Sequence, residues 1–500
     1  MGNDHPESIK TRLILFEYLN QYIKKMNIEK FFILNGFVSS AETVEIKNPY
    51  NNETVKKVYR TDKEQVNDSL NYLTKVFSKY KNTPVYIRSE LLERISKKII
   101  ERKEELSLLV TSETGKPIKF SRIETDRAAL TFKLGSEEAK RIEGEVINLD
   151  LLRGSENVTG IIKRFPVGLI LAITPWNFPL NLVAHKIAPA LASGNVVLLK
   201  PASASLTCGI EIVKIIKESC DELKLDYCPV NVVTSSGSEI ENIISDDRIK
   251  MISFTGSSVV GWDLKRKVNR QKISLELGGN AGVIVDESAD IKNAVAKIIL
   301  GGFGQAGQSC ISVQRVFVHE KIYDEFEKLL LEETKKIKVG DPFNADTDVA
   351  SMITEADAKK IESWINDALE GGAKVLAGGI RDKAVLEPTI LIRTNKNMNV
   401  NCSEVFAPLI TLMKFSDFKE AVENVNDSLY GLQAGVFTEN ITNAFYAFNN
   451  IETGGVIINN VSTYRMDSMP YGGLKDSGNS REGVKYAIEE MTERKIMVIS

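Results

Sequence analysis

Histidine is scarce in this 500-residue chain: His5, His185 and His319 are the complete set. A cysteine hydrolase ordinarily recruits an imidazole as base, so that class has little to work with. Cysteines number five (Cys208, Cys220, Cys228, Cys310, Cys402), an odd count with no C-x-x-C pair. That argues against a disulfide scaffold and a cysteine zinc site, so no metal is expected, and it fits a reducing, cytoplasmic setting. The opening MGNDHPESIKTR has no apolar stretch and reads as no secretory leader. Pro6 stands where myristoylation after Gly2 needs Ser or Thr. Val167 to Leu199 is the most apolar region, yet it holds Asn177, His185, Lys186, Asn195 and three prolines. It cannot cross a bilayer as one helix. A net charge of -3 gives no electrostatic reason to expect nucleic acid or a membrane as partner.

With 43% hydrophobic and 26% charged residues the chain has ordinary globular composition, and its length predicts two or three structural units. Residues 8–26 place Leu13, Leu15, Phe16 and Leu19 near helical spacing, predicting a short helix packed on the body. FFILNGFVSS reads as a hairpin, and Glu64 to Glu138 as several helices broken near Thr83-Pro84 and Lys116-Pro117. From Phe165 the texture becomes alternating. PVGLILAIT, NVVLLK, VNVVTS, IKMISFT and KISLEL read as strands, with helical stretches between and a turn at Gly237. Such alternation predicts an α/β fold with a parallel, doubly wound sheet and a ligand crevice at the strands' carboxyl ends. A second alternating block begins at GVIV (282–285), and the tail carries GGVIIN and RKIMVIS as strands.

Four segments can carry chemistry: TPWNFPL (174–180), SFTGSSVVG (253–261), LELGGN (275–280) and GQAGQSC (304–310). Gly256 to Gly261 has P-loop spacing, but Trp262-Asp263 replaces the required Lys-Ser/Thr. A glycine turn opening a helix after a strand still suits a pyrophosphate, or is an ordinary turn. Cys310 ends a glycine-rich loop; a lone cysteine is commonly a small buried hydrophobe, and a nucleophile needs a route to thiolate. His319 lies nine residues on, in a strand leading away. Glu276, among leucines and glycines at a strand end, is either a structural ion or a general base of raised pKa. Asn177, between Trp176 and Phe178, can cap the following helix or donate to an oxyanion.

Together, in this order and spacing, these segments resemble the aldehyde dehydrogenase superfamily from about Phe31 to the end. LLKPAS (198–203), EVFAPL (404–409) and PYGGLKDSGNSREG (470–483) extend the resemblance. It implies a Rossmann-like cofactor domain (31–144 and 164–274), a catalytic α/β domain (275–460), and a small β extension (145–163 and 484–500) that bridges subunits of a homodimer or homotetramer. Residues 1–30 are an N-terminal extension. It further implies Cys310 as nucleophile, Asn177 as oxyanion donor and Glu276 as the base that activates water. Thr174, Trp176, Lys200, Ser203, Gly256, Ser257, Leu277, Glu404 and Phe406 would line the cofactor. A cysteine beside a nicotinamide needs no imidazole, which makes sense of the missing histidines.

Members similar to this chain that prefer NAD carry a glutamate where Ser203 stands, so NADP is expected as preferred cofactor with NAD accepted. The tail is similar to enzymes of lactaldehyde, glyceraldehyde and related small polar aldehydes. Arg465 and Arg127 are candidate anchors for an acidic group on the substrate. Alternatives are succinate semialdehyde or glyceraldehyde 3-phosphate as substrate, a CoA-acylating dehydrogenase (which typically lacks this glutamate), a cysteine hydrolase, and a catalytically silent relative. Two departures from the family pattern stand out. Asn280-Ala281-Gly282, in place of a stretch that often contains proline, is expected to alter how Glu276 is held, and Ser480, in place of a common glycine, to affect an interface loop more than catalysis.

Overall fold

The computed structural model describes residues 28–500. The helix expected over 8–26 and nearly all of the 1–30 extension lie outside the described residues. The hairpin is present as Phe31–Ile33 paired with Gly36–Val38, turned by Leu34 and Asn35 at φ 52° and 65°. Two consecutive left-handed residues are what a tight antiparallel turn requires.

Five parallel strands form the first sheet, in the spatial order Lys272–Glu276, Ile249–Thr255, Leu169–Ile173, Val196–Lys200, Val230–Val232. LILAI and VVLLK are nearly continuous apolar runs because helices cover both faces of the sheet. The chain enters in the middle at Leu169–Ile173, winds outward to Val230–Val232, then returns to the other side at Ile249–Thr255. Strand order reverses between Leu169–Ile173 and Ile249–Thr255, and there the carboxyl ends open a crevice.

Four helices, Lys63–Tyr80, Val85–Glu101, Lys103–Thr114 and Ile118–Ala139, precede this sheet. Pro84 and Pro117 cap two of them, where a missing N–H costs nothing. A third break, at Arg102, carries no proline and no glycine to announce it. The turn expected at Gly237 is instead the short helix Gly237–Glu241, because Ser236 and Glu239 complete a capping box.

The second sheet has seven strands around Val313–His319, Ala281–Val285 and Leu409–Phe415, parallel except for the edge strand Lys374–Ala377. A third, antiparallel sheet joins Thr492–Ile499, Thr159–Pro166 and Glu145–Asn148. The stretch 484–500 does not begin as strand. Val484–Glu490 is a helix, and Val484, Ile488 and Met491 join the core of the first sheet. Their spacing of four and three residues is helical, so the β segment starts at Thr492.

Candidate active site

One cavity of about 540 Å³ opens between the two large sheets, and Asn177, Glu276, Cys310, Glu404, Arg465 and Glu482 are among the residues that line it. The loop after Ile173 delivers Asn177. Its side-chain Nδ2 donates to the Gln308 carbonyl at 3.1 Å, while the Asn177 main-chain carbonyl accepts from Gln305 Nε2 at 2.6 Å. It does not cap the next helix: Glu124 does, accepting from the N–H groups of Leu180 and Asn181. The Gln308 carbonyl thus fixes which way the amide points and leaves one N–H unused.

That two-way clamp also holds a strained turn. Gln305, Ala306 and Gly307 are all left-handed, at φ 56°, 54° and 65°, and two of the three are not glycine. Such strain persists only where surrounding bonds over-determine it, and here it sets the approach to Cys310. Gly279 lies against the same place, where any Cβ would overlap the Cys310 carbonyl. This close approach is the physical reason for one glycine of LELGGN.

Cys310 is partly buried against Ile311, Leu432 and Tyr471, with Sγ 2.9 Å from the Tyr471 hydroxyl. Burial pushes its thiol up to about 11; the Tyr471 hydrogen bond and the Arg465 charge pull the other way, and Glu404 and Glu276 add to the rise. Neither described histidine bonds Cys310. His319 ends the strand Val313–His319, edge-on to Phe415, and His185 bonds Asp467 at 2.8 Å.

Glu276 ends its strand with 2% of its surface exposed, and its Oε2 has no partner. Burial, and then the neighbouring Glu482 carboxylate, raise its pKa well above the ordinary value. Oε1 lies against Gly472, where a Cβ would crowd it. Glu482 is the converse case. Burial raises it too, but Lys186 Nζ at 3.3 Å and Arg465 at 3.0 Å outweigh that and bring it to about 2.

Polar groups suited to a dinucleotide wait at the carboxyl ends of the first sheet. Lys200 is buried, and desolvation lowers its pKa. Thr174 Oγ1 and Ser258 Oγ are buried without partners. Gly256 and Ser257 lead into the helix Ser258–Lys267, whose first N–H groups receive no side-chain cap. Across the crevice Glu404 accepts from the Gly279 N–H at 3.0 Å and is raised to about 7 by burial. Phe406 packs edge-on to Trp176, centroids 5.8 Å apart, and Leu277 lines the same wall. A row of orphaned donors, a helix N-terminus and an aromatic wall fit a pyrophosphate nucleotide with a flat ring at its far end.

Residues 37–497 match the aldehyde dehydrogenase family. The chain belongs to that family. It is 41% identical over 473 residues to 3-sulfolactaldehyde dehydrogenase of Priestia aryabhattai, covering 93% of this chain and 97% of that one. It is 40% identical over 468 residues to lactaldehyde dehydrogenase of Methanococcus aeolicus, covering 93% and 99%. Among solved structures, glyceraldehyde-3-phosphate dehydrogenase GapN of Methanocaldococcus jannaschii, complexed with NADP, superposes with a TM-score of 0.89. It is 39% identical and covers 92% of this chain and 100% of that one. The chain is thus an oxidoreductase of the NAD(P)-dependent aldehyde dehydrogenase family, with that family's α/β fold.

Both candidate arginines line the cavity, each already holding a carboxylate. Arg127 grips Asp467 with two bonds, at 2.7 and 3.1 Å. Arg465 reaches Glu482, lies 3.7 Å above the Tyr471 ring, and keeps Nε without a partner. Ser203 is exposed at the start of the 3-10 turn Ser203–Ser205, which carries no acidic residue.

Two departures noted in the sequence find their places. Ser480 Oγ lies 2.6 Å from Ser274 Oγ and 3.4 Å from Glu276 Oε1, so it touches Glu276 as well as its own loop. Asn280 does not brace Glu276; its amide donates to the carbonyls of Asn401 and Ser403, steadying the segment that presents Glu404. Sequence reasoning also missed Tyr471, Glu482 and Lys186. The one available signal was Lys186 itself, a lysine in the mostly apolar helix Asn181–Ser193. Among the described residues no helix is long and apolar enough to cross a membrane, and no His, Cys, Asp and Glu group is gathered for a metal ion.

Proposed function

We propose that the chain oxidises a small polar aldehyde, such as lactaldehyde or glyceraldehyde, to its carboxylic acid through a thioester on Cys310. The observation that carries this reading is the convergence of Cys310, Asn177 and Glu276 on one cavity beside the vacant donors of a nucleotide seat. The Cys310 sulfur attacks the carbonyl carbon, and the C=O electron pair moves to oxygen. The unused N–H of Asn177, with the Cys310 backbone N–H, receives that negative charge. A nicotinamide held in this seat would supply the acceptor for the hydride that leaves the substrate carbon, so that a thioester remains on Cys310. Glu276 then removes a proton from water, the hydroxide adds to the thioester, and the thiolate departs as the acid forms. The unpartnered Oε2 supplies the lone pair for this step. A base in this position favours hydrolysis over transfer to CoA, and over a silent or purely structural role.

Lys200, Ser203, Gly256, Ser257, Thr174 and Leu277 would hold the nucleotide. Glu404 would hold the nicotinamide ribose, and Phe406 and Trp176 would flank the ring. With a hydroxyl rather than a carboxylate at Ser203, a 2'-phosphate meets no repulsion near Lys200, so NADP is preferred and NAD accepted. Arg465 and Arg127 give the far end of the cavity two guanidinium groups. These suit an aldehyde with an acidic tail, as in succinate semialdehyde or glyceraldehyde 3-phosphate, alongside neutral hydroxyaldehydes. The first sheet serves the cofactor and the second the chemistry. The third exposes Val146, Ile496, Met497, Val498 and Ile499, an apolar strip suited to a second copy in a homodimer or homotetramer.

The test is a panel of lactaldehyde, glyceraldehyde, its 3-phosphate and succinate semialdehyde, assayed with each cofactor, with and without CoA. Cys310→Ala should lower oxidation at least about 10⁴-fold. Oxidation by that variant at the normal rate, or a rate that requires CoA, would overturn the reading.

A further inference from the structure

Cys310 needs a thiolate, and its surroundings oppose one. Burial drives the thiol up, Glu404 and Glu276 face it with carboxylates, and no described histidine reaches it. One hydroxyl lies within hydrogen-bond reach of the sulfur: that of Tyr471, 2.9 Å from Sγ, which must be the donor once the thiol has lost its proton. A tyrosine hydroxyl is a better donor when a cation sits on its ring, and the Arg465 guanidinium lies 3.7 Å from that ring's centroid. The ring itself is held, 3% exposed, in a small cluster with Ile311 and Leu432. Its backbone is fixed by reciprocal hydrogen bonds with Glu482, so the residue that anchors Arg465 also sets the height of the hydroxyl.

We infer that the Tyr471 hydroxyl, backed by Arg465, is the group that stabilises the Cys310 thiolate in place of an imidazole. The inference rests on Cys310 being the nucleophile. The thiol proton leaves to water through the open cavity, and Tyr471 keeps its own proton and donates it as a hydrogen bond to the sulfur anion. When the sulfur lone pair forms its bond to carbon, the charge leaves the sulfur and that hydrogen bond weakens. A hydrogen bond to the charged form lowers a pKa, so removing it raises the thiol's. Stabilising a thiolate also blunts it. Each unit of pKa changes the thiolate population about tenfold at neutral pH, and its intrinsic reactivity only about threefold in the opposite sense.

That opposition gives a signature which a merely structural tyrosine would not produce. The full-length enzyme, without aldehyde or cofactor, is alkylated with iodoacetamide from pH 6 to 11. The Cys310 adduct is followed by peptide mass spectrometry, each event forming one S–C bond and releasing one iodide. Tyr471→Phe keeps the ring and removes only the hydroxyl. Its titration midpoint should move upward by about one pH unit from about 11, so its rate should be roughly threefold lower than the unmodified enzyme's up to about pH 10, with the deficit shrinking to about twofold at pH 11. Arg465→Lys, which keeps a cation, should shift the profile less than Tyr471→Phe does. An unshifted Tyr471→Phe profile overturns the inference, as does a uniform loss at every pH. The assay uses no substrate, so failure of the aldehyde reading would leave it interpretable: that failure shows in turnover, and failure of the tyrosine assignment shows in alkylation.

Discussion

The strand end that presents Glu276 and the tail segment that presents Glu482 treat the same side chain in opposite ways. Both carboxylates are buried in the wall of one cavity. Glu482 is flanked by Lys186 and Arg465 and stays ionised down to about pH 2. Glu276 has a weak hydroxyl contact on one oxygen and nothing on the other, and burial holds it well above the usual range. Paired burial makes a fixed anion and unpaired burial makes a base, and the first helps create the second because Glu482's charge adds to the rise at Glu276. The lesson is economical. A proton-accepting group can be built from two glutamates by giving the cations to one of them.

This comparison can be broken most sharply with the two amides. Glu482→Gln should cost about 3–5 kcal/mol of stability, because Lys186 and Arg465 remain buried with their anion gone. Glu276→Gln should instead gain stability as pH rises. A carboxyl raised on folding contributes fully below its unfolded value, 4.5, and loses that contribution as pH climbs through the folded value; the amide escapes the loss. For Glu482 the sign is reversed, with its contribution lost as pH falls from about 4.5 to about 2. Thermal unfolding of the three proteins across pH checks both directions, and two shifts of the same sign would dissolve the contrast.

A second, kinetic form of the test asks whether Glu482's charge is felt at Glu276. Removing a negative neighbour lowers a carboxyl's pKa, so the acid limb of product release should move to lower pH in Glu482→Gln. A limb that moves up or stays still would contradict the coupling.

The smallest effect concerns Ser480. Its hydroxyl favours the ionised form of Glu276 across 3.4 Å. Ser480→Ala should raise the acid limb of release by about 0.4 pH unit, equivalent to about 0.5 kcal/mol, without moving the limb for hydride transfer. Equal shifts in both limbs would mean that the serine acts on the cavity as a whole.

Much of this was legible beforehand, for reasons the fold makes plain. Strands such as LILAI and VVLLK are read easily because both of their faces are buried, and glycine or proline stops punctuate them. Asn177, Glu276 and Cys310 sit in short segments whose neighbours are themselves constrained by the site, as Gly279 against the Cys310 carbonyl illustrates. Lys186, Glu482 and Tyr471 were not legible because their meaning is relational. Lys186 and Glu482 are separated by 296 residues and meet only in the folded chain. Tyr471 lies 161 residues from the sulfur that it touches. The contact of Ser480 with Glu276 was hidden for the same reason: its loop folds back onto the strand end, and no local pattern announces it.

The most direct test of the account divides the reaction at the thioester. Glu276→Gln enzyme is mixed with aldehyde and NADP, reduced cofactor is followed by its absorbance, and the protein is weighed by mass spectrometry within the first turnover. The account predicts a burst of about one reduced cofactor per active site and an acyl adduct on Cys310. Release of acid should then be slower than in the unmodified enzyme by about 10²–10⁴-fold. Acid release at the normal rate with no adduct on Cys310 would contradict it.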